Sequence, residues 1–140
     1  MDWKLELVVI PVSDVDRAKR FYAEDVGFTL DYDQGDGEGF RLVQLTPAGS
    51  ACSIAVGTGI TDAAPGSARD LHLVVPDIEA ARAELAGRGV GISQPRHLGP
   101  GGWTPGPDPE RRDYVTIADF RDPDGNTWIA QERGYRALPR

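Results

Sequence analysis

The sequence predicts an α+β fold built from two βαβββ modules. Three observations predict this fold. An apolar strand followed by a capped helix occurs twice, three strand-like runs follow each helix, and Asp122-Pro-Asp-Gly-Asn126 marks a tight turn between the last two runs. Such self-similarity is the usual sign of a duplicated architecture. A length of 140 residues suits a single domain, 1–140, holding both modules.

The two copies of the strand–helix unit are residues 9–22 and 72–85. Asp14 and Asp77 precede the helices, where their carboxylates can accept hydrogen bonds from free N–H groups of the first turn. Apolar residues then recur at helical spacing in both copies. The first helix is expected to end at Gly27, and the second at Gly87 and Gly89.

Three strand-like runs follow each predicted helix. They lie at 28–32, 40–46 and 52–56 in the first copy, and at 90–93, 114–120 and 127–131 in the second. The expected organisation is module 1 at about 4–56, a linker at 57–68, module 2 at about 69–132 and a tail at 133–140. In the turn at 122–126, Pro123 restricts φ, and Gly125 or Asn126 supplies a positive φ.

Composition excludes several classes of partner. The net charge is −7, with 15 basic against 22 acidic residues, so neither nucleic acid nor an anionic membrane surface is an expected partner. No apolar run approaches the length of a membrane span, and the first residues lack the apolar core of a signal peptide. The single cysteine, Cys52, fits a reducing compartment. We therefore expect a cytoplasmic protein.

Several motifs, in order along the chain, resemble the vicinal oxygen chelate superfamily, which includes glyoxalase I, extradiol dioxygenases, fosfomycin-resistance proteins and bleomycin-binding proteins. The matching segments are Val12-Ser-Asp14, Arg20-Phe-Tyr22, Val26-Gly-Phe28, Val75-Pro-Asp77 and 120–126. The resemblance covers residues 4 to 132. It implies that the two modules form a curved mixed-sheet cup of the glyoxalase-like type, which holds the ligand, and that the chain forms a homodimer as most short relatives do. It leaves the reaction open, because one fold hosts many chemistries.

The resemblance also implies where metal-using members place their ligands. The corresponding positions here are Leu7, the strand at 52–55, Asp70 and Ile129. Only Asp70 could donate an oxygen in the manner of those members, and a divalent ion needs several converging donors. We therefore expect no metal cofactor. The alternative is a relocated divalent metal site made of Asp70, His72 and Gln131.

The residues expected to bind a ligand fall into two groups. Strand residues of the cup are apolar Leu7, Val9, Val74 and Ile129 and polar Asp70, His72, Thr127 and Gln131. His97 and Trp103 belong to the longest stretch without a regular pattern, 97–113, where an aromatic side chain among glycines suits a lid. Trp128 should face away from the cup, and Arg111 and Arg112 are expected to be solvated.

Two functions remain open from the sequence. The first is metal-free binding of a small organic molecule, for which the acidic charge favours a cationic ligand. The second is a lyase or isomerase that abstracts a proton, with Asp70 or His72 as the base, either without metal or with the relocated site. Asp70 and His72 are predicted to share one strand face, because side chains two apart point the same way.

Overall fold

The computed structural model describes residues 1–140. The chain divides into two compact units: Met1–Ala68 with Asp122–Asn126, and Arg69–Arg121 with Thr127–Arg140. Unit 1 contains β1 (Leu7–Val9), α1 (Val15–Arg20), a π-helical extension (Phe21–Val26), β2 (Thr29–Gly35), β3 (Arg41–Thr46) and β4 (Ser53–Thr58). Unit 2 contains β5 (Leu71–Val75), α2 (Ile78–Gly87), β6 (Arg96–Gly99), β7 (Gly102–Pro105), β8 (Thr116–Arg121), β9 (Thr127–Glu132) and a 3₁₀ turn (Tyr135–Ala137).

The predicted α+β fold with two modules is confirmed. The sheet of unit 1 has the order β1-β4-β3-β2, and that of unit 2 the order β5-β9-β8-β6-β7. Each sheet has one parallel pair, β1 with β4 and β5 with β9, and its other pairs are antiparallel. Neither helix has the length and apolarity needed to cross a membrane.

Both predicted helix caps are present. The Asp14 side chain accepts a hydrogen bond from Arg17 N, and that of Asp77 accepts one from Ala80 N. Gly27 ends the first helix in the left-handed conformation, with φ of 91°. The wider π-helical turn there, with Gly27 N donating to Tyr22 O, was not predicted from the sequence.

The core of unit 1 lies between its helix and its sheet. The strands contribute Val43, Leu45 and Val56, and the helix contributes Ala18 and Tyr22, all with at most 1% of their surface exposed. The segment Asp122–Asn126 belongs to this unit and hydrogen-bonds to it through buried side chains. Gly125, with φ of 93°, supplies the positive φ that the turn requires.

Two predictions for module 2 are wrong. Residues 90–93 form no strand; Val90 and Ile92 are buried, but only Ser93 bonds to β8, through Asp119. On the side of β8 away from β9, the pairing strand is instead β6, at Arg96–Gly99. The stretch 97–113 is also not wholly irregular, because β6 and β7 form a hairpin with Gly99 paired to Gly102. Gly102 has a φ of 104°, which glycine adopts easily.

Candidate functional site

The sheet of unit 2 has one face covered by α2 and one face without a helix, which we call the open face of unit 2. Strand register places its residues in rows. One row crosses β5, β9 and β8 and consists of His72, Ile129 and Asp119. The next row also reaches β6 and consists of Val74, Gln131, Ile117 and Arg96. The alternate residues Ala118, Phe120, Trp128 and Ala130 are buried on the other face. Sequence alternation therefore predicted Ile129, Gln131 and Trp128 on their observed sides.

His72 and Gln131 are hydrogen-bonded to each other on this open face. His72 Nδ1 lies 3.0 Å from Gln131 Oε1, and Gln131 Nε2 donates to the carbonyl of Tyr114 at 2.9 Å. Ile129 on β9 pairs directly with His72 on β5. Val74, two residues after His72 on the same strand, is 53% exposed. The arrangement sets one oriented imidazole among apolar side chains, which suits an organic ligand with a polar group.

A second polar pair lies toward the other edge of the same face. Arg96 Nη2 lies 3.1 Å from a carboxylate oxygen of Asp119. The guanidinium of Arg96 also lies 5.6 Å from the ring centroid of Trp103, which is 56% exposed on β7. Leu98, opposite Trp103 across the hairpin, is exposed as well. Trp103 is therefore an accessible aromatic surface on a hydrogen-bonded hairpin.

Asp70 and Thr127 line a cavity of about 340 Å³ at one end of the unit 2 strands, together with Ser93, Asp119 and Arg121. The predicted shared strand face of Asp70 and His72 is wrong, because β5 begins at Leu71 and Asp70 precedes it with φ of 56°. Its backbone N–H donates to Thr127 Oγ1 at 2.7 Å. The Asp70 carboxylate has no hydrogen bond or ion pair within the protein.

His97 lies on the face opposite to Arg96 and is buried. Its Nδ1 is 2.7 Å from the carbonyl of Gly106, so the ring anchors the segment that follows β7. Its role as a ligand contact stays a prediction. Arg111, expected to be solvated, is instead largely buried and paired with Glu132. Arg112 is exposed as expected and also pairs with Asp108.

The sheet of unit 1 also has a face without a helix, and it carries Leu7 and Val9. Register places Ser53, Ala55 and Gln44 on the same face. A polar cluster that sequence reasoning missed lies there, made of Asp31, Gln44, Thr46 and Ser53. Thr46 Oγ1 donates to Asp31, and Ser53 Oγ lies 2.6 Å from Thr46 Oγ1. Polar residues alternating along the central strand β3 were the available signal.

The positions at which the superfamily's metal-using members hold an ion do not fit a metal here. Leu7 and Ile129 have hydrocarbon side chains, which cannot ligate an ion. On the same sheet face as Leu7, β4 carries Ser53 and Ala55 where those members have a carboxylate. No group of three His, Cys, Asp or Glu side chains converges anywhere in the protein. Of the relocated site, the structure joins His72 and Gln131, whereas Asp70 bonds to Thr127 through its backbone.

A cavity of about 510 Å³ is lined by residues 107–111 and by Tyr135, Arg136 and Arg140. Its charged groups are already engaged within the protein. Arg111 binds Glu132 and lies 3.6 Å from the centroid of Tyr135, and Arg136 Nε donates to Glu110 O. We therefore regard it as a structural cleft.

The fold defines a two-module α+β protein in which each module has one sheet face without a helix. The chain belongs to the Glyoxalase/Bleomycin resistance protein/Dioxygenase superfamily, whose model matches residues 4–129. This membership confirms the resemblance seen in the sequence. A comparison with curated proteins found no match.

Among solved structures, the chain is similar to TnmS3, an antibiotic binding protein from Streptomyces sp. CB03234. The two share 34% identity over 94% of this chain and 96% of that one, with a TM-score of 0.72. A glyoxalase/bleomycin resistance protein from the same organism is also 34% identical, over 91% and 99%, with a TM-score of 0.70. A superfamily member from Sphaerobacter thermophilus DSM 20745 is 27% identical, over 94% and 98%, with a TM-score of 0.73.

Proposed function

We propose that the protein binds a small organic molecule on the open face of unit 2, without a metal ion. The observation that carries the proposal is the composition of that face. Exposed Val74, Leu98 and Trp103 lie on the same face as two polar pairs held in fixed orientation, His72–Gln131 and Arg96–Asp119. Apolar surface with a few oriented polar groups is typical of sites for organic ligands.

The spacing of the strands bears on ligand size. His72 lies on β5 and Trp103 on β7, at opposite edges of the five-stranded sheet. Four strand spacings of about 4.8 Å separate them by roughly 19 Å along the sheet. A ligand that contacts both must therefore be an extended molecule. The similarity to an antibiotic binding protein supports a small organic molecule as the ligand.

Charge supports a cationic group on such a ligand. The net charge is −7, and the Asp70 carboxylate lines the cavity at the end of the same strands without a protein partner. A negative potential over the site raises the local concentration of cations. Binding without a metal ion is supported by the side chains at two positions where metal-using relatives need ligands, since Leu7 and Ile129 have no donor atom.

The test is isothermal titration of EDTA-treated protein with metal-free bleomycin and with a planar four-ring anthracycline. We expect at least one of the two to bind, with affinity unchanged by EDTA. Trp103→Ala should weaken binding about tenfold, as for loss of an aromatic contact. Phe40→Ala, at an exposed aromatic outside the open face, is the control. Failure of both compounds to bind, or binding only with added metal, would overturn the proposal.

A second candidate function is proton abstraction by a lyase or isomerase. One observation favours it: His72 is exposed on the open face and bonded to Gln131 through Nδ1, so Nε2 is available as a base. It predicts that the protein exchanges deuterium from solvent into the carbon next to a ligand carbonyl, and that His72→Gln stops the exchange. Binding without any exchange favours the first function.

We also propose that the chain forms a homodimer and functions in the cytoplasm. Trp3 and Leu5 are 88% and 72% exposed in the single chain, which supports an interface between copies. Light scattering after gel filtration tests the assembly. The dimer mass is expected for the wild-type protein, and Leu5→Ser should shift it toward the monomer mass.

A further inference from the structure

The hydrogen bonds around Gln131 determine the protonation pattern of His72. The Tyr114 carbonyl can only accept, so the amide nitrogen of Gln131 must be the atom 2.9 Å from it. The amide oxygen of Gln131 is then the atom that lies 3.0 Å from His72 Nδ1. An amide oxygen also only accepts, so Nδ1 must carry the hydrogen.

Neutral His72 is therefore the Nδ1–H tautomer, and its Nε2 carries a lone pair. The side chain is exposed, and Nε2 has no hydrogen-bond partner within the protein. Ile129 lies directly opposite on β9, and the other neighbour on β5 along this face, Val74, is also apolar. At His72 the open face thus presents a fixed acceptor flanked by apolar Ile129 and Val74.

We propose that His72 Nε2 selects ligands carrying a hydroxyl or phenol group, by accepting a hydrogen bond from it. The inference rests on the proposed function and names the chemistry that the same site recognises. A ligand that offers only a carbonyl or ether oxygen at this point would place a second acceptor next to His72 Nε2, and no hydrogen bond would form between them. Gln131 acts as a positioning residue, because its hydrogen bonds fix the tautomer of His72.

The tautomer can be measured without any ligand. The chain has two histidines, and His97 Nδ1 faces the Gly106 carbonyl, so both rings are expected to be Nδ1–H. Imidazole ¹⁵N shifts, assigned with His72→Asn, report which nitrogen carries the hydrogen. Gln131→Met should release His72 to exchange between tautomers while His97 stays unchanged. An Nε2–H signal for His72 in the wild-type protein would overturn the inference.

Recognition is tested with 1-hydroxypyrene and 1-methoxypyrene, which share the ring system and differ in the donor. Fluorescence anisotropy near neutral pH should show about tenfold tighter binding of the hydroxyl compound, the size of one hydrogen bond. His72→Leu should abolish the preference and keep binding of the methoxy compound. Equal affinities in the wild-type protein would overturn the inference and leave the proposed function standing. Binding of neither compound would also overturn the inference, whereas the proposed function is tested separately by the titrations with bleomycin and the anthracycline.

Discussion

The phenol of Tyr22 donates a 2.8 Å hydrogen bond to the carboxylate of Asp122, and both side chains are buried in unit 1. The same carboxylate accepts from Asn126 Nδ2 at 2.7 Å and from the backbone N–H groups of Asp124 and Asn126. Asn126 in turn donates to the carbonyl of Pro11. The turn at Asp122–Asn126 is thus a hydrogen-bonded structural element, and its residues are held for the fold.

Tyr22→Phe should lower the free energy of unfolding by about 1.5–3 kcal/mol, the range for a hydrogen bond to a charged group. The ring packing on Phe21 and Phe28 is kept, so the loss reports on the hydroxyl. Urea unfolding measures it. Tyr32→Phe is the control, because Tyr32 is 40% exposed and its hydroxyl has no protein partner. Equal stability of both variants would contradict the role of the Asp122 bond.

Gly66→Ala should destabilise the protein by about 1–3 kcal/mol more than Gly37→Ala. Both glycines have positive φ, 80° and 73°, so the conformational penalty is shared. An added Cβ at Gly66 would lie 2.1 Å from the carbonyl oxygen of Asp124, whereas one at Gly37 meets no atom within 4 Å. Thermal and urea unfolding of both variants compare the two. Similar losses of stability for the two variants would contradict the prediction, since they would mean that the backbone near Gly66 moves to accommodate the added Cβ.

Arg111→Met should cost about 3–5 kcal/mol of stability, because it strips the charged partner from buried Glu132. Arg111 donates to both oxygens of this carboxylate, at 2.8 and 2.6 Å, and Ile78 N donates to one of them. Combining Arg111→Met with Glu132→Gln removes the buried charge and keeps an acceptor for Ile78. Urea unfolding should find the double variant more stable than Arg111→Met alone; the opposite order would contradict the assignment.

Asp33→Asn should change how stability depends on pH. Hydrogen bonds from Arg41 and then Lys19 hold the pKa of Asp33 below its usual range. A lowered folded-state pKa gives stability that is present above the unfolded pKa, near 4, and is lost as pH falls below it.

The wild-type protein should therefore exceed Asp33→Asn in unfolding free energy near neutral pH, and the gap should narrow as pH falls below about 4. Urea unfolding across this range measures the gap. Asp62→Asn, at an exposed carboxylate without a hydrogen bond or ion pair, controls for the loss of one negative charge. A gap for Asp33→Asn that stays constant with pH would contradict the prediction.

The sequence predicted features that depend on near neighbours in the chain. Asp14 and Asp77 cap their helices because a capping carboxylate reaches N–H groups only three residues ahead. Gly125 takes the positive φ of its turn for an equally local reason. Alternation likewise placed Ile129 and Gln131 on one face and Trp128 on the other, since the period of a strand is fixed by backbone geometry.

Only the tertiary structure decided which distant residues meet. The strand predicted at 90–93 gave way to β6, because β8 pairs with Arg96 and His97 and meets the earlier segment only at Ser93. Local propensity cannot choose between two extended segments that compete for one edge. The left-handed Asp70 likewise interrupts an alternation that sequence alone would continue.

The candidate site shows the same division. His72 and Gln131 were both named from the sequence, but their contact follows from the parallel register of β5 and β9, 59 residues apart in the chain. Arg96 with Asp119, and Arg111 with Glu132, are further pairs that the sequence did not predict and that only the tertiary structure brings together. The sequence by itself determined the modules, the caps and the faces of strands, which are short-range properties. Strand register and side-chain pairing, which bring remote residues into hydrogen-bonding contact, were decided by packing of the whole unit.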